Sequence, residues 1–456
     1  MNYDDFISEK SQAGNDGGFE PTFMPDFLFD FQRSLVEWAV RKGRAAIFAD
    51  CGLGKGPMAL VWAENVARKT NKPSLILAPL AVSRQFVREG EKFGIPIVHE
   101  KEGKAHRLTV TNYERLHHFN PDDFGGVVCD EVSTLKAFDG KRRKQVTRFL
   151  SKVNYRLGCT ATPSPNDFIE LGTISEALGY MTQSDMLGHF FKSDDNQRHS
   201  LFKEGDFWNA AKWFFKAHAE KPFWRWVCSW ARALRNPADL GFDGSDFILP
   251  PLIIKQQVVT CQRPFDGELF VKVAKTLREQ RQERRITMQE RCARVAELVR
   301  HNEPALVWCQ YNEEGDILAD MIPDAVQVAG ADTDEDKEER LAGFAEGKFR
   351  VLVCKPKIGA FGLNYQHCGH HTFFPSHSFE QFYQTIRRSL RFGRVGPVRV
   401  DIITTEGEAG VTGNLQKKQR KADEMFAALI AHMNDANHVQ TVNKHTNKMT
   451  APAWLS

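Results

Sequence analysis

AAIFADCGLGKG, residues 45–56, is the stretch that decides the fold. An apolar run ends in Asp50 and passes into a loop of two glycines and a lysine. PMALVWAENVARK (57–69) follows, with Met58, Val61, Trp62 and Val66 at helical spacing and charges on the other side. Strand, glycine turn and helix in succession are the unit of a parallel α/β sheet. The glycines free backbone N–H groups to wrap phosphates, the helix N-terminus faces their charge, and Lys55 reaches the terminal ones. Gly52, Leu53, Gly54, Lys55 and Gly56 are therefore candidate nucleotide contacts, with an ordinary Gly-rich strand-to-helix turn as the alternative. A Ser or Thr hydroxyl normally follows the lysine as a Mg²⁺ ligand, and here Gly56 stands in its place. Weaker metal binding, slower hydrolysis and a lost ATPase are all open at that position.

Working outward, PSLILAPL (73–80), GGVVCDE (125–131) and YRLGCTATP (155–163) are near-continuous apolar runs separated by helix-length segments, the pattern of a parallel sheet covered on both faces. At Leu249-Pro250-Pro251 the pattern breaks, and a second series follows: LIIKQQVVT, PALVWCQY, DAVQVAG, FRVLVCKP, HTFFPS and VRVDIITT. The same α/β architecture is used twice. The expected division is a loose lead-in at 1–20, a nucleotide-binding domain at 21–179, a helical insert at 180–248, a link at 249–265, a second domain at 266–434 and a polar tail at 435–456. The insert is rich in Phe and Trp. Phe223, Trp226, Val227 and Trp230 are expected on one helix face, with Trp224 to one side. They form either a small aromatic core, which is favoured, or a surface for stacking bases.

Composition narrows the class. The chain has 456 residues, 42% hydrophobic and 26% charged, which is ordinary for globular protein with ample core. No apolar run approaches the roughly 20 residues that span a bilayer. The opening MNYDDFISEK lacks a basic region followed by an apolar core. A cytoplasmic protein without a membrane partner is expected. A net charge of +3 confines any nucleic-acid surface to a local groove. The nine cysteines include no CxxC pair, which fits reduced thiols in a core. Cys368, His370 and His371 invite a metal reading, but no second pair at zinc-like spacing accompanies them.

Asp130 and Glu131 close an apolar strand, where side chains emerge at the carboxyl edge of the sheet beside the phosphate loop. Asp130 is placed to hold Mg²⁺ through water and Glu131 to orient or deprotonate an attacking water. A solvated loop pair is the bland alternative. In QTIRRSLRFG (384–393), Gln384, Arg388 and Arg391 fall on one face if the segment is helical. Arginine suits a γ-phosphate because its planar fork stays charged and binds two oxygens. Arg391 is the candidate arginine finger and Arg388 its partner.

With these residues in order, the sequence resembles a superfamily 2 helicase of the Snf2-like branch, close to the DEAD/DEAH-type helicases encoded by bacteriophages and prophages. FDFQ (29–32) resembles the adenine-reading motif, with Gln32 the reader. LAPLAVSRQF (77–86) and TNYERL (111–116) resemble motifs that contact the DNA backbone, which implies roles for Arg84, Gln85, Thr111 and Asn112. DEVS (130–133) and CTATPSPND (159–167) resemble motifs II and III, and ALVWCQYNEEGDIL (305–318) motif IV. KIGAFGLNY (357–365) resembles motif V, where Gly362 lies near nucleotide and Asn364 near nucleic acid. SHSFEQFYQTIRRSLRFGR (376–394) resembles motif VI, departing at Arg394.

The resemblance implies two RecA-like parallel-sheet domains in tandem, with ATP between Lys55 on one side and Arg388 and Arg391 on the other. It implies ATP and Mg²⁺ as cofactors and DNA, duplex or single-stranded, as the partner, in a bacterial or phage-infected cell. A DNA-dependent ATPase that translocates or unwinds is the first function expected. A nucleic-acid-binding scaffold with a weakened or lost ATPase is the second, on the ground of Gly56. A third keeps the motor and docks a protein partner through the 180–248 insert.

Overall fold

The apolar runs of the first half become parallel strands. In chain order these are β1 (Arg44–Ala49), β2 (Ser74–Ala78), β3 (Val98–His99), β4 (Leu108–Asn112), β5 (Gly126–Asp130) and β6 (Tyr155–Thr160). A short antiparallel pair follows, β7 (Phe191–Ser193) with β8 (Trp213–Phe215), and then β9 (Ala231–Leu234). The seven-stranded sheet runs β3-β4-β2-β5-β6-β1-β9, parallel throughout. All residues of β2, β4 and β5 are buried, as a strand covered on both faces requires. The computed structural model describes residues 17–136, 140–164, 167–193, 213–260, 277–359, 364–376, 378–406, 413 and 417–433.

Helices α1 (Asp30–Lys42), α2 (Lys55–Thr70), α3 (Leu80–Phe93), α4 (Lys141–Leu150), α5 (Leu171–Leu178), α6 (Gln183–Phe190) and α7 (Glu220–Trp230) accompany this sheet. Met58, Val61, Trp62 and Val66 of α2 are fully buried, so the helical spacing read from the sequence is the core face. Each such side chain contributes about 1.5–3 kcal/mol on burial.

The second half forms a six-stranded parallel sheet. Its strands are β10 (Leu252–Val259), β11 (Ala305–Trp308), β12 (Ala325–Val328), β13 (Val351–Cys354), β14 (His370–Phe373) and β15 (Val398–Thr405), in the order β10-β15-β14-β11-β13-β12. Its helices are α8 (Leu277–Ile286), α9 (Met288–Leu298), α10 (Asn312–Met321), α11 (Asp334–Ala345), α12 (Pro356–Gly359) and α13 (Phe379–Ile386), and a last helix, α14, spans 417–433. All six expected strands of this half form. The fold class is thus two RecA-like parallel-sheet regions with a helical, aromatic-rich insert.

Two units result. The first comprises the described residues of Met1–Ala78, Phe86–Phe242 and Ala422–Ser456, and the second those of Pro79–Gln85 and Asp243–Lys421. From Ala422 onward, α14 therefore groups with the first unit. Met425, Phe426, Leu429 and Met433 join Phe223, Trp226 and Trp230 in one core, and Arg235 pairs with Asp423 at 2.7 Å.

Within the insert the aromatic rings are core. Phe223, Trp224, Trp226 and Trp230 are all buried, and Phe223 meets Trp224 edge-on at 4.9 Å. Trp224, expected to one side of the helix face, packs edge-on against Phe168 at 5.3 Å. These four rings are closed to bases and to a protein partner alike. The same segment also supplies β9, which extends the first sheet alongside β1.

Among the described residues no helix is long and apolar enough to cross a membrane. The described cysteines are buried and free, and burial pushes the Cys129 thiol up to about 12.

Candidate functional site

Because the first sheet is parallel, the loop after β1 and the pair at the end of β5 leave by the same edge, with only β6 between their strands. The loop turns through left-handed backbone at Gly52 (φ 91°) and Gly54 (φ 77°), conformations that cost any other residue dearly. Gly54 is also the N-cap of α2, so the helix amides open onto the loop. The Asp50 carboxylate accepts from the Cys51 N–H at 2.6 Å and stiffens the turn. Lys55 lies back along the loop, its Nζ donating to the carbonyls of Ala49 at 2.9 Å and Asp50 at 3.3 Å. Gln32 is buried against the loop. Its amide donates to the Leu53 carbonyl at 3.0 Å and accepts from the Phe29 N–H at 3.1 Å.

Asp130 and Glu131 are both buried. Glu131 holds a left-handed backbone (φ 52°), which turns the chain sharply off β5; a non-glycine residue in that region is a recognised mark of a functional constraint. Its carboxylate accepts from the Thr160 hydroxyl at 3.0 Å, and that hydroxyl is 3.2 Å from the Ser133 Oγ. Tyr113 donates its phenol to the Asp130 carbonyl at 2.7 Å. Burial, first of all, and then the neighbouring Glu131 push the Asp130 carboxyl up to about 7; Lys55 opposes the rise and Glu89 adds to it.

Glu89 is the residue that sequence reading missed. It lies on α3, and a Cβ built on Gly56 would stand 1.9 Å from its Oε2 and 2.9 Å from its Cδ. The only signal in the sequence is the glycine itself, standing where a hydroxyl residue is usual.

In the second unit, α13 ends at Ile386, so only Gln384 of the three expected helix-face residues is helical. Arg388 and Arg391 lie beyond it in a turn and bend. Tertiary hydrogen bonds draw the chain out of the helix. Tyr365 N–H donates to the Arg388 carbonyl at 2.9 Å, and His371 Nε2 is 2.8 Å from the Ser389 Oγ. Arg388 is buried, while Arg391 is half-buried and donates from Nε to the Arg387 carbonyl at 3.1 Å. Gln384 is buried, and neither atom of its amide has a hydrogen-bond partner among the described residues.

The remaining expected contacts are dispersed. Arg84 is exposed on α3 and pairs with Glu338, both in the second unit, and Gln85 beside it is half-buried. Thr111 and Asn112 are buried at the end of β4, and Asn112 accepts from the Arg115 N–H at 3.0 Å to cap the following turn. Asn364 is exposed, its amide donating to Gln366 at 2.9 Å. Gly362 and Asn166 lie outside the described residues.

Cys368, His370 and His371 do not converge on a metal. His370 bridges His301 at 2.6 Å and Asp401 at 2.8 Å; His371 binds Trp308 and Ser389. Among the described residues no group of three or more His, Cys, Asp or Glu is arranged to hold a metal ion.

No protein-family model matches the chain, and no curated protein matches it. Among solved structures, the Sulfolobus solfataricus SWI2/SNF2 ATPase core in complex with dsDNA is similar at 16% identity and a TM-score of 0.41, over 91% of this chain and 96% of that chain. That likeness assigns no residue here a role.

Proposed function

We propose that the chain is an ATP-hydrolysing motor that moves on DNA, a superfamily 2 protein of the Snf2-like kind that phages and prophages encode. The observation that carries this reading is the convergence, at one sheet edge, of a left-handed glycine loop, Lys55 and the pair Asp130–Glu131. A parallel sheet presents its ligands at that edge, and backbone amides with a lysine suit a polyphosphate.

On this reading Lys55 exchanges its two carbonyl partners for the terminal phosphates, and Gln32 contacts the adenine. Glu131, fixed by Thr160, orients the attacking water and takes its proton as the terminal phosphate is released from ADP. Arg388 and Arg391 of the second unit neutralise charge on the phosphate being transferred. Gly362 lines the nucleotide, while Arg84, Gln85, Thr111, Asn112 and Asn364 serve the DNA backbone. The donor set fits Mg²⁺: buried Asp130 beside a second carboxylate leaves negative charge that Lys55 alone does not balance, and this ion is normally held by one or two carboxylates plus phosphates and water. When bound, Mg²⁺ supplies charge neutralisation at the phosphates.

The second reading, a DNA-binding scaffold without turnover, rests on Gly56. ATP hydrolysis measured with and without duplex and single-stranded DNA separates the two. The motor predicts turnover that rises with DNA and disappears in Lys55→Ala. Undiminished DNA binding by a native chain that hydrolyses no ATP would put the scaffold first.

A further inference from the structure

The missing hydroxyl at position 56 is matched by a carboxylate in the same space. Glu89 comes from α3, the helix after β2, and its Oε2 stands 1.9 Å from where the first side-chain carbon of any residue at 56 would begin. A serine or threonine there and Glu89 in its present place are mutually exclusive. The carboxylate is also within electrostatic reach of Asp130, close enough to oppose its ionisation, while Lys55 acts on Asp130 in the opposite sense. Three carboxylates, Glu89, Asp130 and Glu131, thus surround a single lysine at the mouth of the phosphate loop. That balance is costly with nothing bound and favourable once a divalent cation arrives.

Resting on the ATP reading above, we infer that Glu89 provides the oxygen toward the nucleotide-bound divalent cation that the phosphate loop lacks, and that Gly56 is glycine to admit it. Carboxylate oxygen is a hard ligand suited to Mg²⁺ at least as well as a hydroxyl. The exchange has two consequences. Position 56 becomes intolerant of side chains while Glu89 is present, and the ion site gains a negative charge that the usual loop does not have. The site then depends on the ion more strongly than a hydroxyl-bearing loop does, because metal-free nucleotide meets an extra carboxylate.

The test uses the full chain with ADP and Mn²⁺, whose electron paramagnetic resonance signal reports binding without any turnover. ADP affinity in EDTA is measured beside it. Glu89→Gln keeps the shape and removes the charge. It is expected to weaken Mn²⁺ binding to the ADP complex by roughly ten- to a hundredfold, the range seen when even outer partners of a bound metal are lost. ADP affinity in EDTA is expected to hold or rise. Gly56→Thr alone is expected to lose Mn²⁺ affinity because it displaces the carboxylate. Gly56→Thr with Glu89→Ala is expected to bind Mn²⁺ better than Glu89→Ala alone, the hydroxyl replacing the carboxylate. Native Mn²⁺ affinity in Glu89→Gln would overturn the inference, as would a double variant no better than Glu89→Ala. A chain that binds no ADP in either buffer would remove the ATP reading itself. ADP binding with Mn²⁺ affinity indifferent to Glu89 would leave that reading standing and reject Glu89 alone.

Discussion

The hydroxyl of Thr160, at the end of β6, stands 3.0 Å from Oε2 of Glu131, at the end of β5, and both side chains are buried. This bond ties the carboxylate proposed to handle the attacking water to the next strand of the sheet. Because Glu131 also sits on left-handed backbone, its direction depends on that tether.

Thr160→Val removes the tether and keeps the shape. Hydrogen bonds to charged groups contribute about 1.5–3 kcal/mol, so kcat for ATP is expected to fall roughly ten- to a hundredfold. KM for ATP is expected to stay near native, and Thr160→Ser to recover most of the loss. Steady-state kinetics on the three proteins checks this; an equal rise in KM would mean a binding role instead.

Trp224 is buried against Phe168 and Phe223. Trp224→Ala is expected to cost about 3–5 kcal/mol of stability in the first unit, as ring deletions from cores do. Single-stranded DNA affinity at fixed salt is expected to remain within about twofold of native, against the roughly 1–3 kcal/mol that a stacking ring contributes per base. Urea denaturation and an anisotropy titration read the two effects separately.

His371 predicts an acid sensitivity of the second unit. Trp308 donates to its Nδ1 at 3.1 Å, so its proton resides on Nε2, which donates to Ser389. Burial, and then the nearby His370 and Arg394, lower its pKa to about 3. The unfolded chain, with an ordinary histidine pKa of about 6.5, takes up the proton first as pH falls. Stability from this residue is therefore complete above about pH 6.5 and is lost as pH drops toward 3. At pH 5 the loss is roughly 2 kcal/mol, and His371→Gln is expected to lose that much less between about pH 7.5 and pH 5. Denaturant midpoints at the two pH values test the sign as well as the size.

Arg291 and Glu314 form an ion pair at 2.9 Å with side chains 1% and 0% exposed. Glu314 also accepts the N–H groups of Gln310 at 2.7 Å and Tyr311 at 3.0 Å, which caps α10. Arg291→Met strands the carboxylate and is expected to cost about 3–5 kcal/mol. Arg291→Met with Glu314→Gln is expected to regain a substantial part, since glutamine can still cap without a charge. Thermal melts of the single and double variants would show the coupling, and additive losses would contradict it.

Local chemistry made most of the fold readable. VVCD at 127–130 and SLILA at 74–78 announce buried strands because adjacent residues carry the signal themselves. The glycine-lysine turn was equally plain, since left-handed backbone at Gly52 and Gly54 is a property of those residues alone. ARAL at 231–234 was read as part of a helical insert, and its place in the sheet depends on pairing with β1, far away in sequence. Arg388 and Arg391 have helical spacing, yet Tyr365 and His371 hold that stretch in a turn through tertiary hydrogen bonds. The same limit hid Glu89. Nothing in REGEKF (88–93) distinguishes that glutamate from its neighbours, Glu91 included.

The sequence by itself determined which residue types stand at each strand end: a phosphate-wrapping turn, an acidic pair and an arginine-bearing stretch. Only the tertiary structure decided which side chains meet there. Packing of α3 against the sheet sets Glu89 into the space left by Gly56, and the register of β5 against β6 sets Thr160 beside Glu131. Contacts between distant segments depend on strand order and helix rotation, and no window of adjacent residues contains either.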